Sequence, residues 1–145
     1  MTERFKEYIT NISIVSDDKS YSYLDLDNEI LKKLKLIDKN NIISGQTVFL
    51  LADYSLESIA WLLALYSNKN IIVPVTSEIE KEISDRINEI SVDFIINLRL
   101  NTISRLDETK ERHKIVKNLN LNKKSGLIIF SSGSTGKPKA MIHDM

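Results

Sequence analysis

The sequence contains no cysteine, only two prolines and four glycines, few aromatics (7%) and no net charge. Each shortage closes off a class of protein. Without cysteine there is no disulfide scaffold, no thiolate metal site and no cysteine nucleophile. The longest near-continuous apolar run, Ile59 to Tyr66, is far short of the ~20 residues a membrane span needs. The start, MTERFKEYIT, has no apolar stretch after a basic one, so no signal peptide is read there. A soluble, cytoplasmic protein in a reducing compartment is expected. Hydrophobic residues make up 42% of the chain, too many for a disordered one of zero net charge. Its 145 residues suit one domain able to bury a sizeable core.

The neutral sum conceals an asymmetry. Residues 1–98 hold 10 basic and 16 acidic side chains, whereas residues 99–145 hold 10 basic and 4 acidic ones. A basic last third suits either contact with an anion or a solvated lysine-rich connector, and charge alone favours the connector. A balance of zero argues against a general nucleic-acid coat.

Periodicity predicts alternating strands and helices. Ile12 to Val15 is a short apolar run. Ser22 and Asp25 form a capping box, so a helix starts at about Tyr23, with Leu24, Ile30, Leu31, Leu34 and Ile37 near helical spacing. Thr47 to Leu51 reads as a strand. Asp53 or Ser55 caps the next helix, SLESIAWLLALYSN, whose apolar residues cover most of its circumference, with Trp61 as core. Ile71 to Val75 is a strand in which Pro74, lacking an N–H, belongs at the end or on an edge. Ser77 and Glu80 form another capping box ahead of a helix with Ile79, Ile83, Ile87 and Ile90 on one face. Asp93 to Asn97 is a further strand. The strand starts at Thr47, Ile71 and Asp93 are 24 and 22 residues apart, which is βαβ spacing. The expected fold is α/β: a doubly wound, mostly parallel sheet flanked by helices. Residues 98–125 read as a basic connector with one short helix around Glu108 to Val116 and a surface histidine, His113. Residues 126–145 read as strand, loop and strand.

The last segment carries the chemistry. After the apolar Leu127-Ile128-Ile129-Phe130 come Ser131, Ser132, Gly133, Ser134, Thr135, Gly136, Lys137, Pro138 and Lys139. Gly133 and Gly136 let backbone N–H groups close on an anion, the four hydroxyls can turn as donors, and Lys137 and Lys139 bring positive charge. This is a candidate phosphate cradle. It is not a Walker A loop, because Ser131 stands where the first glycine is needed and Pro138 where Ser or Thr is needed. A G-x-G-x-x-G fingerprint and a G-x-S-x-G elbow are absent too. Gly133 to Gly136 fits the G-x-x-G of an RNA-binding KH loop, but that loop joins two helices and a strand precedes this one.

FSSGSTGKPKAMIH resembles the glycine-rich signature of the adenylate-forming, AMP-binding superfamily, which includes acyl-CoA ligases and the adenylation domains of peptide synthetases. Ile128 to Lys139 agrees with the family pattern throughout, and SYSYLDLDNEI and SGQTVFLLADYSLESIAWLLALYSNKNIIVPV agree more loosely. Ala140 departs from a glycine common among relatives, Met145 from a histidine or asparagine, while His143 matches some members. The resemblance implies the N-terminal part of the family's large domain, with 1–145 as one incomplete α/β domain ending just after the signature. It implies that a carboxylate attacks the α-phosphate of ATP, giving an acyl-adenylate and pyrophosphate, before a thiol such as CoA or phosphopantetheine takes the acyl group. Ser131, Ser132, Gly133, Ser134, Thr135, Gly136, Lys137 and Lys139 would wrap the β- and γ-phosphates, with Mg2+ sharing the task through ligands not found here. No catalytic residue is assigned. Family members run several times longer, so these residues alone are expected to be inactive and to act with the remainder of a longer enzyme. An unpaired strand near Met145 invites self-association. The alternatives are a non-catalytic nucleotide- or anion-binding module and, further off, an RNA-binding G-x-x-G module.

Overall fold

The computed structural model describes residues 8–16, 18–76, 78–106, 111–132 and 138–145, with backbone alone for Ser132 and Pro138. A two-stranded antiparallel sheet pairs β1 (Ile12–Ser16) with β2 (Lys19–Ser22) and leads into α1 (Tyr23–Lys39). Then follow β3 (Thr47–Leu51), α2 (Leu56–Ser67), β4 (Ile71–Val75), α3 (Glu80–Glu89), β5 (Phe94–Asn97), β6 (Thr102–Arg105), α4 (Lys114–Leu121), β7 (Gly126–Ser132) and β8 (Pro138–Asp144). These last strands form a six-stranded sheet in the order β6-β5-β3-β4-β7-β8. The four inner strands are parallel, and the two outer ones run antiparallel to their neighbours.

Alternation of side chains along the strands builds a core on each face. Val48, Leu50, Ile72, Phe94 and Ile96 pack with Ile30 and Ile37 of α1 and Trp61 and Leu65 of α2. Phe49, Leu51, Ile71, Val73 and Ile128 pack with Val116 and Leu119 of α4 and with half-buried Ile83 and Ile87 of α3. Each of these fully buried side chains stabilises the fold by about 1.5–3 kcal/mol. The doubly wound arrangement is thus present, with β3 buried along its whole length. A Cβ at Gly126 would stand 2.7 Å from Leu119 Cδ1 and 2.9 Å from Ile71 Cδ1, so the ends of both side chains would have to shift to admit one.

Local signals hold where they are short-range. Ser22 caps α1: its Oγ accepts from the Asp25 N–H, and Asp25 accepts from the Ser22 N–H at 2.8 Å. Ser55, not Asp53, caps α2 in a reciprocal pair with Ser58. Ser77 lies outside the described residues. Ile79 is the N-cap of α3, ahead of its first turn, and is 58% exposed rather than packed with Ile83, Ile87 and Ile90. On α1 the buried stripe is Leu26, Ile30, Lys33 and Ile37, while Leu24 and Leu31 are exposed.

Lys33 is buried because its amine has partners. Its Nζ is 2.6 Å from Glu57 and 2.9 Å from Glu29, and lies 5.6 Å from the centre of the Trp61 ring. Burial pushes this amine's pKa down, but hydrogen bonds and charge from Glu57 and Glu29 outweigh it and hold it above the ordinary lysine value.

Residues 98–125 hold more regular structure than a connector. β6 occupies 102–105 and pairs antiparallel with β5, after a turn in which Asn101 takes a φ of 52°. The helix begins at Lys114, later than expected, because His113 caps it: Nδ1 accepts from the Ile115 N–H. His113 is exposed, as its sequence setting implies. Among the described residues, no helix is long and apolar enough to cross a membrane.

Candidate phosphate-binding site

The site is set by how β7 and β8 meet. Their register pairs Gly126 with Asp144 and runs to Ser131 with Lys139 and Ser132 with Pro138. Residues 133–137 therefore connect the strands at the carboxyl end of β7, which is also the carboxyl end of β3, β4 and β5. Gly133, Ser134, Thr135, Gly136 and Lys137 lie outside the described residues. Ile128 and Ile142 pack toward α3 and α4, so alternation sends Leu127, Ile129, Ser131, Lys139 and Met141 to the opposite face. Ser131, half-buried, and Lys139, exposed, are direct cross-strand neighbours at the base of the connection.

Pro74 helps to open this end of the sheet. The Ile71 N–H donates to Gln46 O and the Ala52 N–H to Val75 O, so odd-numbered residues of β4 bond toward β3. Even-numbered ones turn toward β7, as the bond from the Gly126 N–H to Asn70 O agrees. Pro74 thus lacks its donor on the β7 side. The ladder between β4 and β7 ends at Ile72 and Leu127, and beyond it β4 is paired with β3 alone and β7 with β8 alone. Pro74 lies on an inner strand, one residue before its end and beyond the last paired residues of the ladder with β7.

The same end carries an ion pair that sequence reasoning does not reveal. Asp53 follows β3 by two residues and Arg99 follows β5 by two. The Arg99 Nη2 donates to Asp53 Oδ1 at 2.7 Å and to Thr76 O at 2.7 Å, and Nε donates to Asp53 Oδ2 at 3.1 Å. These bonds hold the Asp53 carboxyl below its usual pKa range and keep Arg99 charged. The only sequence signal is position just beyond a strand end, which many loop residues share. Other charges of the basic third are also answered within the chain: Arg112 by Asp93, Lys117 by Glu111 and Lys124 by Asp144. Among the described residues, no group of three His, Asp or Glu side chains could hold a metal ion.

No family model matches the sequence. The chain is 27% identical over 144 residues to one of the mycosubtilin synthase proteins of Bacillus subtilis, covering 90% of this chain. It is 26% identical over 149 residues to one of the plipastatin synthase proteins of Bacillus subtilis (strain 168), covering 94%. It spans only 6% of the length of each of these relatives. Among solved structures, the N-terminal subdomain of Klebsiella oxytoca NpsA with 3-hydroxyanthranilyl-AMSN matches with a TM-score of 0.73 at 20% identity. That match covers 97% of this chain and 38% of the other. o-Succinylbenzoate CoA synthetase (MenE) of Bacillus subtilis, in complex with the acyl-adenylate OSB-AMP, matches with a TM-score of 0.67 at 14% identity. There the overlap is 95% of this chain and 40% of the other.

Proposed function

We infer, for a chain that has the fold of the N-terminal part of adenylate-forming enzymes and resembles that superfamily in sequence, that residues 131–139 grip the β- and γ-phosphates of ATP. The observation that supports this reading is the pairing of Ser131 with Lys139 at the carboxyl end of the parallel strands, flanking two glycines, three hydroxyls and Lys137. Ligands of open α/β sheets sit at that end. A lysine and a ring of N–H and O–H donors there would stabilise the charge that develops on pyrophosphate as a carboxylate attacks the α-phosphate. Mg2+, when bound, would neutralise part of the same charge. The acyl group would pass to a thiol of CoA or of a phosphopantetheine carrier. Such a ligase works where ATP is held, in the cytoplasm. For these 145 residues alone the proposed activity is binding, with catalysis in a longer enzyme.

Calorimetric titration tests it. ATP and tripolyphosphate should bind to one site and AMP much more weakly. Gly136→Val should weaken ATP about tenfold or more by placing a side chain where backbone must approach phosphate, with an unchanged circular dichroism spectrum. Equal ATP affinity in wild type and a folded Gly136→Val variant would overturn the reading. Steeply salt-dependent RNA binding in its place would support the G-x-x-G alternative.

A further inference from the structure

We propose that β8 is a self-complementary edge through which two copies of this chain pair antiparallel, about a two-fold axis at Met141. The proposal uses the outer side of β8 and stands apart from the nucleotide reading. Among the described residues β8 is the last strand of the sheet, and its inner side is fully laddered to β7. The Met145 N–H donates to Ser125 O, which places odd-numbered residues of this strand on the β7 side. Even-numbered residues therefore turn outward: the N–H and C=O groups of Ala140, Ile142 and Asp144, and the C=O of Pro138.

A second β8 centred on Met141 answers these groups. It sets Ala140 opposite the second copy's Ile142, and Pro138 opposite the second copy's Asp144. Each Ala140–Ile142 pair exchanges two backbone hydrogen bonds, and each Asp144 N–H reaches a Pro138 carbonyl. The one missing donor is that of Pro138, at the outermost position, where it interrupts nothing.

The side chains are matched as well. Met141 would lie directly against Met141 of the second copy, beside their cross-strand neighbours Ile129. Met141 is 45% and Ile129 41% exposed, so the pairing joins four exposed apolar side chains in one stripe. On the other face, Ala140 and Ile142 line a recess of about 400 Å3 with Ile90 and Ile115, next to which the second copy's Ile142 would stand. The opposite edge is built otherwise. β6 has four residues, three of them exposed, and ends in Arg105, features that protect an edge. A symmetric pair is the usual form for like protomers, and here the strand is its own complement.

Sedimentation equilibrium of the purified chain, from about 1 to about 100 µM, reads the outcome by mass action. The expected mass rises with concentration from 16.6 kDa to twice that value. Ala140→Pro removes an outward donor and leaves the β7 ladder whole. Met141→Lys sets two like charges face to face. Each should weaken dimerisation about tenfold or more, and Arg105→Pro on the far edge should leave it unchanged. Circular dichroism reports folding. Should Ala140→Pro unfold, Met141→Lys decides the question, because its side chain is already half in solvent. A wild-type chain that stays monomeric across the range, or a dimer that persists in folded Met141→Lys, overturns the proposal.

Discussion

At the amino ends of the parallel strands, polar groups are buried and answered within the chain, whereas at the carboxyl ends they stand in or near solvent. Asn70 has no exposure, and its amide donates to Ile43 O at 2.9 Å and to Gln46 O at 3.2 Å. The Ser125 hydroxyl donates to Tyr66 O at 2.7 Å. Arg112 forks onto Asp93 at 2.7 and 2.8 Å and reaches Gly45 O, while Asp93 also accepts from the Thr47 N–H. Gly45 holds a φ of 82° in that corner, open to glycine without strain. At the other end Asp53 is 66% exposed, Lys139 is exposed, and β4 and β7 part after Leu127. One end of the sheet is thus built to hold the strands, and the other leaves donors and charge within reach of a ligand.

Three substitutions sharpen that contrast, from the largest effect to the smallest. Asn70→Ala should cost about 2 kcal/mol in urea denaturation, because two carbonyls at the amino ends lose their buried donor. ATP affinity of the folded protein should not move. A cost under ~0.5 kcal/mol would mean that water replaces Asn70, and the contrast would weaken. Arg112→Gln should cost about 1–2 kcal/mol by leaving Asp93, mostly buried, without its fork. Again nucleotide binding should be unaffected.

Arg99→Gln should have the smallest effect on melting temperature, because its partner is largely solvated. Its sign with pH is fixed. Asp53 has a lowered pKa in the folded chain, so the pair stabilises above the unfolded carboxyl value, about 3.9, and the contribution is lost as pH falls through the lower folded value. The melting difference between wild type and Arg99→Gln should be present at neutral pH and shrink in strong acid. A difference that grows in acid would show that Arg99 acts otherwise.

Much of the scaffold is legible in the sequence because its signals are local. The Ser22–Asp25 box, the apolar runs of β3, β4 and β5 and the apolar run around Trp61 each depend on neighbours a few residues away. β6 escapes such reading because Thr-Ile-Ser-Arg is short and polar, and only the open edge of β5 makes it a strand. Lys33 in a buried stripe is unreadable because the carboxylate of Glu57 lies 24 residues on. The Asp53–Arg99 pair joins residues 46 apart. The candidate site is legible in kind, since glycines, hydroxyls and lysines between two strands suit an anion. Its position at one end of the sheet is not.

By itself the sequence determined the alternation of α1, β3, α2, β4, α3 and β5, the capping of α1, and the chemistry available between Ser131 and Lys139, since all of these follow from residue type and spacing within a few positions. Only the tertiary structure decided which strands are neighbours, that Pro74 turns its missing donor toward β7, and which side of β8 is left open. Those depend on contacts between residues far apart in the chain, where packing and backbone register choose among partners that local patterns leave equivalent.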